Sequence, residues 1–263
     1  MMRQEAAKPE YVKAKTAVWW DINSCPIPHG YDVCRIRPSI ESALKSLGYS
    51  GPVEITVIGN QEDTPEEVLR GLSSKLISVK HGPARQILLN LLMSWQNRNP
   101  PPASMMLISD IVESMSLVLC RRQQRKSGYN LLRAYTCAPN HVSTLYSTAE
   151  WLWESLLAAA DETDSNKQEV TRIKSSVLQK CTRPPFIWQW PLFVPFDCFM
   201  CFFTTKSVED FTTHLSGAEH QQKRIALERS RMPHPGYEVE ENAPEGKEEN
   251  PPESKRSKMR AHE

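Results

Sequence analysis

The chain has 263 residues, 40% hydrophobic and 24% charged, enough for one sizeable domain and a small companion. Its 32 lysines and arginines against 31 acids leave a formal net charge of +1, so any nucleic-acid surface must be local rather than chain-wide. Seven cysteines is an odd number, and Cys25, Cys34, Cys120, Cys137 and Cys181 show no framework spacing, which fits a reducing compartment better than secretion.

Residues 1–15 are charged, lack the apolar stretch of a secretory signal and are expected to form a flexible N-terminus. Residues 16–22 read as an apolar, aromatic strand that stops at the turn-like Asn23-Ser24-Cys25-Pro26. A helix is expected over 39–47, with Ile40, Ala43, Leu44 and Leu47 on one face and Gly48 as its stop. Strands follow at 53–58, 75–79, 104–109 and 129–134, with a buried helix over 83–96 and a closing helix over 142–157. Trp19, Trp20, Trp95, Trp151 and Trp153 are read as packing residues. Short strands alternating with helices predict an α/β fold, a parallel sheet covered on both faces. In such folds functional groups gather at the carboxyl ends of strands, where strand order reverses.

This first domain is bounded at 16–159, and a polar linker is expected over 160–194. A small module follows over 195–229, and the Pro-, Glu- and Lys-rich stretch 230–263 is expected to be a disordered charged tail. The longest apolar run, 191–203, holds Asp197 and two prolines and is too short to span a bilayer. No membrane insertion is expected.

Within the small module, Cys198 and Cys201 form C-x2-C, followed after twelve residues by His214 and His220. Four such ligands can close a tetrahedron around one zinc ion, leaving no open position, so the expected role is structural. A hairpin over 196–202 presents the cysteines, Ser207 caps a helix, Phe211 supplies the core, and the helix carrying both histidines must loosen near Ser216-Gly217. Metal binding is then the module's folding energy. The segment resembles the ββα zinc-finger class that binds double-stranded RNA, through its Phe before the first histidine and its His214-Leu215-Ser216-Gly217-Ala218-Glu219-His220 ending. The basic pair usual before the last histidine is here Ala218-Glu219, leaving Lys206, Lys223 and Arg224 as phosphate contacts or an ordinary solvated face.

In the large domain, Asp21 ends the first strand, Asp110 follows Ser109 at the fourth, and Glu113 is close by. Nucleases gather two or three carboxylates around Mg2+ or Mn2+, which activates water and offsets charge on the phosphate. Each acid is also compatible with a loop or helix-capping role. Arg121, Arg122, Arg125 and Lys126 are dense enough for a phosphate-contact patch, or form a solvated helix end. His81 reads as a loop histidine.

Residues 16–159 resemble the NYN domain, a PIN-like nuclease fold with a three-layer sandwich, and most closely plant relatives of the meiosis regulator and mRNA stability factor family. The motifs that carry the resemblance begin with Val18-Trp19-Trp20-Asp21-Ile22-Asn23-Ser24-Cys25-Pro26-Ile27-Pro28, followed by Asn99-Pro100-Pro101-Pro102-Ala103 leading into Met106-Leu107-Ile108-Ser109. Gly128-Tyr129-Asn130-Leu131-Leu132 and Ala149-Glu150-Trp151-Leu152-Trp153 complete them. The resemblance implies that Asp21 is the first metal-binding acid, that the acid two positions later is Asn23, and that the acid opening the third helix is Arg85. The family's S-G-D-x-D-F motif becomes Ser109-Asp110-Ile111-Val112-Glu113-Ser114, with Glu113 replacing the second acid in an ungapped reading and Val112 in a gapped one.

Replacing an acid by Arg85 turns attraction for a cation into repulsion. The expected function is an RNA-associated regulator of gene expression built on a degenerate nuclease domain. An active Mg- or Mn-dependent endoribonuclease using Asp21, Asp110 and Glu113, and a protein-interaction adaptor with protein partners, are the alternatives. The basic stretch 255–260 suggests a nuclear or cytoplasmic location, and the family resemblance adds a peroxisomal association.

Overall fold

Every residue of β1 (Thr16–Asp21) is buried, the burial expected of a central strand. The computed structural model describes residues 4–110, 128–137, 147–158 and 193–231. Within them β1 pairs in parallel with β2 (Val53–Gly59) on one side and β4 (Ala103–Ile108) on the other. Beyond β2 lies β3 (Ser78–His81), and beyond β4 lie β5 (Tyr129–Tyr135) and β6 (Ala149–Leu152), all parallel.

Alternation along the strands sends two sets of side chains to opposite faces. Val18, Trp20, Val57, Met106 and Ile108 pack with α1 (Ile36–Ser46) and α2 (Glu66–Ser74), through Ile36, Ile40, Leu44, Leu69 and Leu72. Ala17, Trp19, Met105, Leu107 and Leu131 pack with α3 (Ala84–Arg98), through Ile87, Leu88, Leu92 and Trp95. The result is an α/β sandwich with a mostly parallel central sheet, as the alternation of elements predicts.

The small module does not stand apart from this sheet. Its hairpin, β7 (Phe196–Cys198) and antiparallel β8 (Phe203–Thr205), continues the sheet, giving the order β6-β5-β4-β1-β2-β3-β7-β8. β7 runs parallel to β3, with Val79 opposite Phe196 and His81 opposite Cys198. The Val79 N–H donates to the Pro195 carbonyl at 2.6 Å, and the Phe199 N–H to that of His81 at 2.9 Å. Lys80 pairs with Asp197 at 3.1 Å across the same ladder. Phe196 stacks on Phe211 of α4 (Val208–Ser216), ring centroids 5.0 Å apart, and both belong to the core that holds Trp20 and Leu72. Without β7, β3 would present an open edge.

Four expectations are corrected. The stretch 142–157 does not close the unit as one helix: Ala149–Leu152 is a strand beside β5, and helix begins only at Trp153. A short, two-sided buried strand has no period that separates it from a buried helix. The two histidines do not share a loosened helix, because Gly217 is extended (φ −71, ψ 146) and divides α4 from α5 (Ala218–Arg231). The N-terminus is not free from residue 4 onward: Gln4 bridges Ala149, and the Ala7 N–H donates to the Leu47 carbonyl at 2.7 Å. The third strand begins at Ser78 rather than 75, because Lys75 still caps α2. The linker and tail fall almost wholly outside the described residues.

Because the Phe196–Phe211 stack belongs to the common core, Phe211→Ala should cost about 3–5 kcal/mol in chemical denaturation of the full chain. The expected trace is one shifted transition. A separate early transition, with the main one unmoved, would show an independent module.

Candidate functional site

The switch in strand order falls between β1 and β4, and Asp21 and Asp110 stand at their carboxyl ends. Asp21 is 1% exposed and its carboxylate is occupied by the protein's own donors. Oδ1 accepts from the Asn23 N–H at 3.1 Å; Oδ2 accepts from the hydroxyls of Ser24 at 2.8 Å and Ser109 at 3.2 Å. Ser24 Oγ also accepts from the Asp110 N–H at 3.2 Å, so one hydroxyl ties the two strand ends together. Asp110 is exposed, and its carboxylate accepts from both the backbone N–H, at 2.8 Å, and the hydroxyl of Thr136 just beyond β5. Burial, then the Asp110 charge, pushes the Cys25 thiol up to about 12, so it supplies no thiolate nucleophile at neutral pH. The structure thus brings Asp21 and Asp110 into one crevice; Glu113 lies outside the described residues.

Asn23 does not point its amide at a metal position. Its Oδ1 accepts from the Asn60 N–H at 2.6 Å and its Nδ2 donates to the Asn60 carbonyl at 3.1 Å, clamping the loop that leaves β2. The close approach depends on Gly59 (φ +127), where a Cβ would sit 2.2 Å from Asn23 Oδ1. Arg85, in the first turn of α3, is exposed and has no hydrogen-bond or ion-pair partner among the described residues. Arg133 is buried, with its guanidinium 5.6 Å from the Tyr135 ring centroid, so it is not a surface cation. Arg121, Arg122, Arg125 and Lys126 lie outside the described residues.

The second cluster forms where the hairpin meets the helices. One ligand atom from each of Cys198, Cys201, His214 and His220 falls within 4.8 Å of every other. His220 Nδ1 lies 3.6 Å from the Cys198 sulfur and 3.4 Å from that of Cys201. Metal–sulfur bonds of about 2.3 Å and metal–nitrogen bonds of about 2.0–2.1 Å give a tetrahedral edge of about 3.5 Å, matching both. His214, stacked on Phe203 with centroids 4.2 Å apart, has a buried Nε2 with no hydrogen-bond partner among the described residues, which leaves that atom open to an ion held by the cluster. Burial pushes the Cys198 thiol up to about 12 without an ion, so cation binding must displace its proton. These residues fit one metal ion.

Sequence reading missed the groups on the far side of that cluster. His81 is not a loop histidine: it ends β3, is 1% exposed, and its ring lies 4.8 Å from that of His220. Its Nδ1 accepts from the Gln61 N–H at 3.0 Å. Burial, then His220, pushes its pKa down to about 4, so at neutral pH the ring is neutral with its proton on Nε2. Glu62 Oε1 lies 3.3 Å from His220 Nε2, accepts from Gln221 at 3.1 Å and pairs with Arg224 Nε at 3.3 Å. Burial works to raise the Glu62 carboxyl, but Gln221 and Arg224 bring it below its ordinary value. No signal of spacing could have found Glu62, which lies 158 residues from His220.

The same contacts change the reading of the module's cations. Lys223 pairs with Glu219 at 2.8 Å, and Arg224 with Glu228 at 2.9 Å as well as with Glu62. Lys206 alone of the three is exposed without a partner among the described residues.

A parallel α/β sandwich with carboxylates at its topological switch point defines a nuclease-like domain. The NYN domain family matches residues 15–146, and the chain belongs to that family. No curated protein matches it. Family membership makes the function nuclease-like and RNA-related. No helix among the described residues is long and apolar enough to cross a membrane.

Gly59→Ala should destabilise the chain by about 1–3 kcal/mol, because it combines a left-handed backbone with the Asn23 clash. Urea denaturation measures this, and a variant as stable as the parent would contradict the close packing of the clamp.

Proposed function

We propose that the chain is an RNA-associated regulator of gene expression whose NYN domain retains weak metal-dependent hydrolysis or none. The observation that carries this reading is the Asp21 carboxylate, closed from solvent and held by three protein donors. Those donors fill three of the carboxylate's roughly four lone-pair sites, so a divalent ion would have to take the single site left on Oδ1 or displace a hydroxyl. The position expected to carry the next acid, Asn23, is committed to Asn60, and Arg85 brings positive charge to the mouth of α3. The motif at 18–28 supports a place among plant relatives of the meiosis regulator and mRNA stability factor family, with a regulatory rather than degradative role. Nuclear entry through 255–260 and a peroxisomal association belong to the same proposal.

The Cys198, Cys201, His214 and His220 cluster would hold one structural zinc ion. The thiolate and imidazole donors suit zinc better than Mg2+ or Ca2+, and all four positions are filled by protein. Zinc there supplies cross-linking, not chemistry. The module's RNA contact is weak in this reading, since Lys223 and Arg224 are spent on internal ion pairs. An adaptor role gains support from Phe202, 88% exposed at the tip of the hairpin, where a protein partner could cover it.

Purified full-length protein with single-stranded RNA should show no Mn2+- or Mg2+-dependent cleavage above that of Asp21→Asn. RNA binding should fall steeply as salt rises. Divalent-dependent cleavage abolished by Asp21→Asn would establish the endoribonuclease with Asp21, Asp110 and Glu113 instead. No RNA binding, with salt-insensitive capture of a protein, would establish the adaptor.

A further inference from the structure

Resting on the reading that the Cys/His cluster holds zinc, we propose that the nuclease-like domain completes the centre: Glu62 is the outer-shell carboxylate that fixes His220, making metal binding and docking of 193–231 a single equilibrium. His220 offers two nitrogens with different neighbours. Nδ1 faces the two cysteine sulfurs, and Nε2 faces Glu62 Oε1 at 3.3 Å. An imidazole that ligates through Nδ1 carries its proton on Nε2, and a carboxylate there locks the ring and strengthens the ligand. His220 is fully buried, and the acceptor the structure places beside its Nε2 is the Glu62 carboxylate.

Glu62 is itself held in place. It belongs to the loop whose Asn60 backbone is clamped by Asn23, and the Asn60 side-chain oxygen accepts from the Glu62 N–H at 3.0 Å. Gln221 and Arg224 of α5 reach the same carboxylate. The metal therefore connects the hairpin, α4 and α5, and Glu62 ties that unit to the β2 exit. The β3–β7 ladder forms a second tie, with His81 opposite Cys198.

Glu62, His81 and His220 also lie close enough to suggest a second ion. The structure argues against one. His81 Nδ1 is engaged by Gln61, leaving only a protonated nitrogen, and Glu62 already faces Arg224. One zinc per chain is expected.

The test measures zinc itself, by competition between full-length protein and a chromogenic chelator, together with thermal melts with and without EDTA. Glu62→Ala should weaken zinc binding about 10–100-fold. Glu62→Gln should lose less, since its amide oxygen still accepts the Nε2–H. Lys15→Ala, which breaks the 2.6 Å Lys15–Glu54 pair at the other end of β1 and β2 and touches nothing in 193–231, should stay within about two-fold of the parent. EDTA should lower the melting temperature of the whole parent chain in one transition.

Parent-like zinc affinity in Glu62→Ala would overturn the proposal while leaving the zinc centre standing, as would a main transition indifferent to EDTA. Two zinc ions per chain would replace it with the second site. A parent that takes up no zinc would remove the underlying reading as well. Should Glu62→Ala fail to fold, the graded loss in Glu62→Gln decides, and parent-like affinity there overturns the proposal.

Discussion

Four residues leaving β2, Gly59 to Glu62, bind the two halves of this molecule to each other. Gly59 turns with a positive φ so that Asn23 can reach the backbone of Asn60. Gln61 donates its N–H to His81, and Glu62 meets His220. One short loop thus touches the acidic crevice, β3 and the Cys/His cluster. Its geometry is demanding because each contact comes from a different element, so shifting one residue would misplace the other three.

The loop also explains why the crevice looks as it does. A parallel sheet leaves its strand ends crowded with backbone and side-chain polar groups, and these must be satisfied internally where water is excluded. Asp21 is satisfied by Ser24, Ser109 and the Asn23 amide. Asn23 in turn satisfies both backbone groups of Asn60. An acid at position 23 would keep the acceptor but lose the Nδ2 donor, placing a carboxylate oxygen against the Asn60 carbonyl. The amide at 23 therefore has a positive structural reason, beyond the loss of a metal ligand.

Much of the fold was legible because its signals were local. Val18-Trp19-Trp20 and Met105-Met106-Leu107-Ile108 are continuous apolar runs, and runs of that length are what a two-sided buried strand requires. Spacing pointed to Cys198, Cys201, His214 and His220, which the hairpin, the last turn of α4 and the first turn of α5 bring together. β6 was not legible, since Ala149–Leu152 is too short to show a period. The attachment of β7 to β3 was not legible either: nothing in Phe196-Asp197-Cys198 names a partner more than a hundred residues away. Glu62 and His81 stayed hidden for the same reason.

The placement of charge decides what the docked module can do. The i,i+4 pairs of Lys223 with Glu219 and of Arg224 with Glu228 lie within α5 and do not depend on docking, whereas Glu62 is a contact that only the docked module has. Here Arg224 lies between Glu62 and Glu228, and Lys223 is held by Glu219. A phosphate must compete with those carboxylates before it gains either contact. Near Glu62 the competition is harder, because removing Arg224 would leave a partly buried carboxylate with less compensation. Arg224 therefore serves the attachment of α5 to the nuclease-like domain. Docking and phosphate contact draw on one guanidinium, so a phosphate that takes Arg224 must do so at the expense of the contact between α5 and Glu62.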